Sequence, residues 1–256
     1  MSGLFDAYAT YYDLLYQDKD YKAEATFVHN LLEAHGVPIS GCLLELGCGT
    51  GKHAECFARL GYTIYGVDMS AAMVASANAR KPRDVAERIQ FKVGDVRDVR
   101  VPMLFDAVIS LFHVASYQIS NADLIAMFKT ATEHLKPGGV FLFDCWYGPA
   151  VLTDRPVVRV KRVRNKAVEV LRIAEPVMRP NENIVEVKYT VQLKQAGKEP
   201  MSEFSETHHL RYLFAPELEL LLAMSGMQVV ERLEWLTDKA TGFGSWAATF
   251  IAVKNE

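Results

Sequence analysis

The chain has 256 residues, 50% of them hydrophobic, so it can bury a sizeable core as one large domain or as one domain with a substantial insertion. Its formal net charge of -3 disfavours a nucleic-acid substrate. The four cysteines show no metal-ligand spacing, no apolar run approaches membrane-spanning length, and the N-terminus lacks a secretory pattern. We therefore expect a cytoplasmic protein without a metal site and without a membrane anchor.

The first half of the chain alternates predicted helices and strands. Residues 20–35 carry apolar side chains at helical spacing, and Gly36 follows as a helix stop. Short apolar runs predict strands at 42–46, 63–67, 89–93, 107–111 and 140–143. Helices are predicted between them at 52–60, 70–80 and 123–135. This alternation predicts a doubly wound α/β fold, with a mostly parallel sheet and helices on both faces.

Beyond Trp146 polar and apolar residues alternate, which is typical of strands with one buried face. Four such strands are predicted, at 157–163, 167–173, 184–193 and 203–213, with turn-forming sequences at 179–181 and 196–198. A helix at 216–224 and strands at 229–236 and 246–253 return to the first sheet. We therefore expect four segments: an N-terminal aromatic segment and helix at 1–35, an α/β core at 36–150, an antiparallel β insert at 151–214, and a helix and strand pair at 215–256 that complete the core sheet.

The first strand runs into a glycine-rich turn that opens a helix, Glu45-Leu46-Gly47-Cys48-Gly49-Thr50-Gly51. Glycines suit a turn where a ligand approaches the backbone closely, and the carboxyl edge of a parallel sheet is where ligands bind. A phosphate-binding P-loop is disfavoured, because Leu46 replaces a glycine and His53 replaces Ser or Thr. A dinucleotide-binding fingerprint would need glycine at position 52, where this chain has Lys52. NAD binding is therefore kept as the runner-up hypothesis for this turn.

The turn resembles the first motif of class I S-adenosylmethionine-dependent methyltransferases. Further motifs of that family follow in order at Asp68, Gly94-Asp95-Val96, Phe105-Asp106-Ala107-Val108 and Leu135-Lys136-Pro137-Gly138-Gly139. The resemblance implies a Rossmann-like fold that binds S-adenosylmethionine, with Asp68 holding both ribose hydroxyls and an acid at Asp95 beside the adenine. A carboxylate suits a vicinal diol because it offers two acceptors.

The resemblance implies a set of cofactor-binding residues. They are Tyr12, Glu45, Gly47, Cys48, Gly49, Gly51, Asp68, Met69, Asp95, Val96 and Leu111. Purely structural roles are the alternative for single members of this set: Glu45 as a loop anchor, Gly51 as a close-packing position and Asp68 as a helix cap.

A narrower resemblance lies in the N-terminal aromatic residues and in the antiparallel insert. Tyr8, Tyr11-Tyr12-Asp13, Tyr16 and Lys19-Asp20-Tyr21 resemble the opening of methyltransferases that act on the amino group of nucleotide-linked deoxysugars. In that group the N-terminal segment closes over the cofactor, and the insert forms much of the acceptor pocket and supports dimerisation. The resemblance therefore implies a nucleotide-linked amino sugar as acceptor, with homodimer formation as one possibility.

Methyl transfer is an in-line displacement, and alignment of the reacting atoms can supply about 7–11 kcal/mol of the barrier. A neutral amine needs little base assistance, whereas a hydroxyl acceptor needs a general base poised near neutral pH. His113 follows the fourth strand at the edge that faces the methyl group, and it is the candidate base. A structural hydrogen-bonding histidine is the alternative.

The candidate acceptor-binding residues are aromatic or basic. The aromatic rings would line the acceptor pocket, and the basic side chains would pair with the diphosphate of a nucleotide. They are Tyr8, Tyr117, Trp146, Tyr147, His209 and Arg211. Core packing is the alternative for the aromatic residues and a solvated strand face for the basic ones. Three other functions stay open: methylation of a nitrogen or oxygen on another small molecule, NAD-dependent oxidoreduction, and cofactor binding without turnover.

Overall fold

The computed structural model describes residues 11–195 and 202–255. Residues 11–15 are helical, and the further helices are α1 Tyr21–Ala34, α2 Lys52–Arg59, α3 Ala71–Arg80, α4 Asn121–His134, α5 Gly148–Thr153 and α6 Ala215–Met224. The strands of the core are β1 Cys42–Leu46, β2 Thr63–Asp68, β3 Ile89–Val93, β4 Phe105–Ser110, β5 Leu135–Trp146, β10 Met227–Glu234 and β11 Ala247–Lys254. The strands of the insert are β6 Arg159–Arg164, β7 Val168–Arg179, β8 Ile184–Gln195 and β9 Ser202–Arg211.

The core is a seven-stranded sheet in the order β10-β11-β5-β4-β1-β2-β3. Strands β1 to β5 pair in parallel, whereas β11 is antiparallel to both β5 and β10. The chain proceeds outward from β1 through β2 to β3, then returns to the other side of β1 with β4. The carboxyl ends of β1 and β4 therefore border the switch point of strand order, where open α/β sheets bind ligands. The predicted Rossmann-like α/β fold with a returning C-terminal strand pair is confirmed.

The central strands are mainly apolar because both faces of the sheet are covered. In β1, Leu44 packs in one hydrophobic cluster with Val108 and Phe141, while its neighbour Leu43 packs in the opposite cluster with Ala107 and Val140. Several helices around the sheet start at side-chain caps. The Asp20 carboxylate accepts from the Ala23 amide at 2.9 Å, and the Ser120 hydroxyl accepts from the Asp123 amide at 3.0 Å.

The insert is a separate four-stranded antiparallel sheet in the order β6-β7-β8-β9. Strand β7 continues to Arg179, six residues beyond its predicted end at Ile173. Pro176 falls within this extension, past Ala174, which pairs with the first residue of β6. One edge of β7 is unpaired there, so a residue without an amide hydrogen is tolerated. The turn-forming sequence predicted at 196–198 lies outside the described residues.

In the described ranges no helix combines the length and the apolar character needed to cross a membrane.

Candidate active site

The glycine-rich turn after β1 is closely packed on the neighbouring strand and on the 3-10 helix Val114–Tyr117. The amides of Gly47 and Cys48 both donate to the carbonyl of Val67, at 2.8 and 2.9 Å. Gly47 has φ of +81°, and a Cβ atom there would lie 2.5 Å from Val114 Cγ2. Gly51 has φ of +76°, and a Cβ atom there would lie 2.5 Å from Phe91 Cζ. Both positions therefore require glycine for packing as well as for backbone conformation.

Asp68 joins the turn to the end of β2. Its carboxylate accepts from the amide of Gly49 through Oδ2 and from the amide of Ser70 through Oδ1, both at 2.9 Å. Burial raises the pKa of Asp68, and these two hydrogen bonds oppose that rise. Gly49 differs from its neighbours, because a Cβ atom there would have no heavy atom within 4 Å among the described residues. The space over Gly49 is therefore open for a ligand that would approach both the backbone and Asp68.

Glu45 is a buried carboxyl group that the described protein leaves incompletely bonded. Its side chain is 1% exposed, and Oε2 has no hydrogen-bond partner among the described residues. Burial, followed by the nearby charge of Asp68, raises the pKa of Glu45 to about 8. His53 Nδ1 lies 3.9 Å from Glu45 Oε1, and His53 Nε2 contacts Glu24 Oε2 at 2.8 Å. An orphaned buried carboxyl beside a glycine cradle fits a ligand with a cationic amino group, as S-adenosylmethionine has.

The other predicted cofactor residues follow the carboxyl ends of β2, β3 and β4, at the same edge of the sheet as the turn. Asp95 is bound by Arg97, whose hydrogen bonds lower the pKa of the Asp95 carboxyl. Met69 lies between Asp68 and Ser70 and is partly exposed, whereas the side chains of Val96 and Leu111 are 8% and 2% exposed and pack in the two core clusters.

Tyr12 lies in the helical residues 11–15 of the N-terminal segment. Its ring centroid lies 4.8 Å from that of Tyr16. Burial raises the pKa of Tyr12, and the charges that add to this rise include Tyr21, Tyr117 and Asp68. The Tyr12 hydroxyl is therefore within electrostatic range of the Asp68 carboxylate.

His113 occupies an unusual backbone position directly after β4. Phe112 and His113 have φ of +67° and +64°, in the left-handed region that non-glycine residues rarely adopt. The Asp144 carboxylate accepts from the His113 amide at 3.1 Å through each of its oxygens. His113 Nδ1 lies 2.7 Å from Asp144 Oδ2, but the hydrogen-bond angle is poor because the ring N–H does not point along this line.

The inner face of the insert meets the core beside His113. Tyr117 follows in the 3-10 helix, and its hydroxyl lies 2.9 Å from His208 Nδ1 on β9. His208 is 2% exposed, and its Nε2 lies 3.2 Å from Glu206 Oε2. Trp146 stands edge-on to His113, with ring centroids 6.3 Å apart. The structure thus brings together His113, Tyr117 and Trp146, with His208 as an addition from the insert.

Three predicted acceptor residues are not brought to this place. Tyr147 is 8% exposed, and its ring packs in the main core cluster, 6.4 Å from Phe250. His209 is exposed and lies 3.5 Å from Glu186 on the outer face of the insert. Arg211 is buried and bonds Asn121 and Glu217 at the starts of α4 and α6, which is a structural tie. Tyr8 lies outside the described residues.

Comparisons with known proteins agree with this geometry. Residues 43–139 match a family model described as a methyltransferase domain. The chain is 31% identical over 239 residues to dTDP-3-amino-3,4,6-trideoxy-alpha-D-glucopyranose N,N-dimethyltransferase of Streptomyces venezuelae, which covers 93% of this chain and 95% of that protein. The chain belongs to the S-adenosylmethionine-dependent methyltransferases.

Two further comparisons extend over nearly the whole methyltransferase chain. It is 27% identical over 250 residues to dTDP-4-amino-2,3,4,6-tetradeoxy-D-glucose N,N-dimethyltransferase of Saccharopolyspora spinosa, covering 97% of this chain and 93% of that protein. The crystal structure of DesVI from Streptomyces venezuelae matches with a TM-score of 0.79 and 29% identity, over 96% of this chain and 98% of that one. S-adenosylmethionine is thus the cofactor of this methyltransferase, and NAD-dependent oxidoreduction is set aside.

The sequence analysis assigned no role to three residues that contact the candidate site. Asp13 accepts from the Thr50 hydroxyl of the glycine-rich turn at 2.8 Å, Asp144 contacts His113, and His208 contacts Tyr117. For Asp144 a signal was present, since a lone carboxylate at the end of the apolar run Val140 to Phe143 lies at the ligand-binding edge of the sheet. For His208 the alternation of side chains along β9 was the signal, but which of two adjacent histidines faces inward depends on strand register. For Asp13, no local sequence pattern predicts the residues that it contacts.

Proposed function

We propose that this methyltransferase transfers methyl groups from S-adenosylmethionine to the amino group of a nucleotide-linked amino sugar. The observation that carries the proposal is the extent of the similarity to the two dTDP-amino-sugar dimethyltransferases, which spans 93% and 97% of the chain and so includes the antiparallel insert. A likeness restricted to the cofactor motifs would carry no information about the acceptor.

The residues around the glycine-rich turn would hold S-adenosylmethionine. Asp68 would accept from the ribose hydroxyls, and Glu45 would meet the methionyl ammonium, while open space over Gly49 lets the ligand approach the backbone. Tyr12 would cover the bound molecule. When bound, the sulfonium supplies an electrophilic methyl group whose bond to sulfur breaks as the acceptor nitrogen bonds to carbon.

His113 would act as the general base. A protonated amine has no lone pair, so its proton must leave before nitrogen can attack the methyl carbon, and the same need recurs for a second methyl. His113 stands at the carboxyl edge of the sheet, beside Trp146 and the 3-10 helix that carries Tyr117. The ring would take the proton from the ammonium group through Nε2, since Nδ1 faces Asp144.

The acceptor would lie between the core and the inner face of the insert. Tyr117 and Trp146 offer ring faces there, and His208 and Glu206 offer polar groups buried among apolar strands. A sugar presents both apolar and hydroxyl-bearing faces, which suits this mixture. Formation of a homodimer stays a prediction, and sedimentation velocity would test it.

The proposal is tested by mass spectrometry of acceptors incubated with the protein and S-adenosylmethionine. The panel contains dTDP-linked 3-amino and 4-amino deoxysugars, the matching hydroxyl sugars, and simple amines. We expect one and then two methyl-sized mass gains on an amino sugar and none on its hydroxyl counterpart. No gain on any amino sugar, with S-adenosylmethionine binding intact, would contradict the proposed acceptor class.

A further inference from the structure

Asp144 is a buried carboxylate near the end of β5 that no cofactor motif includes. Its side chain is 1% exposed. Burial alone would raise its pKa, but the charge and hydrogen bonds of His113 outweigh burial, and the charge of Lys19 adds to them, so the pKa is held below its usual range. An ionised group at this depth is costly unless it is bonded, and it is therefore informative about its partners.

Among the described residues, the hydrogen-bond and ion-pair contacts of the Asp144 carboxylate are both made with His113, at its backbone amide and at its ring. Both carboxylate oxygens accept a hydrogen bond from the His113 amide, and Oδ2 also lies 2.7 Å from the ring nitrogen Nδ1. The amide contact holds the backbone at φ of +64°, a conformation that residues with a Cβ atom rarely adopt. The ring contact favours a proton on Nδ1, because only a protonated nitrogen is attracted to the carboxylate.

A proton on Nδ1 leaves Nε2 with its lone pair, and this is the nitrogen that faces away from Asp144. We infer that Asp144 is a positioning residue that fixes both the backbone and the tautomer of His113, so that Nε2 is presented to the acceptor as a proton acceptor. The inference rests on the proposed role of His113 as general base. Asp144 itself does not exchange a proton, which matches the role of a carboxylate that orients a catalytic histidine.

The test compares Asp144→Asn with a control at the same junction. In the asparagine variant the side-chain oxygen would still accept from the His113 amide, and the NH₂ group would face Nδ1. Because NH₂ is a donor, it favours an unprotonated Nδ1 and therefore a ring proton on Nε2. Ser116→Ala is the matched control, because the buried Ser116 hydroxyl accepts from the Trp146 amide at 2.9 Å and ties the same two elements together. Ser116 contacts His113 only through its backbone amide, and alanine keeps that hydrogen bond.

We expect Asp144→Asn to lower kcat at least about 30-fold, which is less than the roughly 100-fold or more that a general base itself supplies. The KM for the amino sugar should change less than about threefold. We expect Ser116→Ala to retain kcat within about threefold even if it melts earlier. In His113→Ala, which lowers kcat on its own, adding Asp144→Asn should cause little further loss, since both act through one ring.

A second measurement needs no variant. Long-range nitrogen–proton NMR of the histidine-labelled wild-type protein at neutral pH should show His113 protonated on Nδ1, with the assignment made from His113→Ala. A neutral ring protonated on Nε2 overturns the inference, as does an Asp144→Asn variant with wild-type kcat while His113→Ala is impaired. If His113→Ala retains full activity, the proposed general base fails instead, and the inference that rests on it fails as well.

Discussion

Glu45 carries a buried carboxyl group, and the described residues leave its Oε2 atom without a hydrogen-bond partner. Burial of such a group is unfavourable unless a ligand completes its bonding. In the folded protein its pKa is raised to about 8, whereas an exposed glutamate ionises near pH 4.5. Between these values the folded protein holds a proton that the unfolded chain has released, so the stability of the unliganded protein should fall as pH rises through this window.

The first prediction concerns this proton. A cationic ligand binds the ionised carboxyl, so S-adenosylmethionine binding near pH 7 should release a proton, and affinity should rise as pH increases toward the Glu45 pKa of about 8. Calorimetry in buffers of different ionisation enthalpy measures the release. Glu45→Gln should abolish both effects. His53→Asn, at a neighbour 3.9 Å from the Glu45 carboxyl, should retain them. Proton release by Glu45→Gln equal to that of the wild-type protein would assign the proton to another group.

The second prediction concerns Asp68. Asp68→Asn places an NH₂ group against one of two backbone amides and removes the ribose acceptor, so S-adenosylmethionine affinity should fall about 30-fold, equivalent to roughly 2 kcal/mol. Asp106→Asn is the matched control. Asp106 also accepts a backbone amide, from Cys42 at 2.8 Å, but it lies at the start of β4 on the opposite edge of the sheet. It should lose stability without losing affinity, and equal loss of affinity in both variants would argue against a local contact.

At the scale of elements, the glycine-rich turn can be separated into positions that serve packing and one that serves the ligand. Gly49 and Gly36 both have positive φ, and a Cβ atom added at either would have no heavy atom within 4 Å among the described residues. Gly36 ends α1, away from the site. The two positions therefore share backbone strain and differ only in what a ligand would occupy.

The third prediction follows from that comparison. Gly49→Ala and Gly36→Ala should each lower stability by about 1 kcal/mol, because both place a side chain in the left-handed region. Only Gly49→Ala should weaken S-adenosylmethionine binding, by at least about tenfold, since the added methyl enters the space over Asp68. Thermal melts and calorimetry check both. Undiminished binding by Gly49→Ala would show that the ligand does not pass over this turn.

Sequence patterns predicted the core well, because its strands are short apolar runs separated by helices with apolar faces. The insert shows where local patterns stop. Its strands were expected from alternation, yet the inward histidine is His208 and not His209, because a shift of one residue exchanges the two faces of a strand. Arg211 bonds Glu217, six residues away in the chain, and Asn121, 90 residues away. Only the tertiary structure reveals the contact with Asn121.

The fourth prediction uses these adjacent histidines as a matched pair. His208→Ala removes a buried partner of Tyr117 and leaves Glu206 without that contact, so the KM for the amino sugar should rise at least about fivefold, the lower end of the cost of an unsatisfied buried group. His209→Ala removes an exposed side chain on the opposite face and should leave KM unchanged within about twofold. Steady-state kinetics measure the two KM values. Similar KM values for both variants would show that the inner face of the insert does not bind the acceptor.

At the scale of the whole molecule, residues 11–19 connect the cofactor turn to the insert. Toward the core, Asp13 bonds Thr50 at 2.8 Å and Arg80 at 2.7 Å and lies 3.2 Å from Lys52. Toward the insert, Tyr11 donates to Glu206 at 3.4 Å and Asp18 pairs with Lys161 at 2.8 Å. The same short segment therefore contacts both the region that would hold the cofactor and the sheet that would hold the acceptor.

This arrangement predicts positive coupling between the two ligands, because a segment ordered by one ligand no longer has to be ordered by the other. In the wild-type protein a saturating amino sugar should tighten binding of S-adenosylhomocysteine at least about fivefold, and by reciprocity the converse should hold.

Asp13→Ala removes the ties to Thr50 and Arg80 and should reduce the coupling to less than about twofold. Asp18→Ala is the control on the same segment, since its carboxylate is 68% exposed and surface pairs contribute little. Calorimetric titrations with and without the second ligand measure the effect. Absence of coupling in the wild-type protein would show that cofactor and acceptor are bound independently despite sharing this segment. Full retention of the coupling in Asp13→Ala would show that the contacts of Asp13 do not carry it.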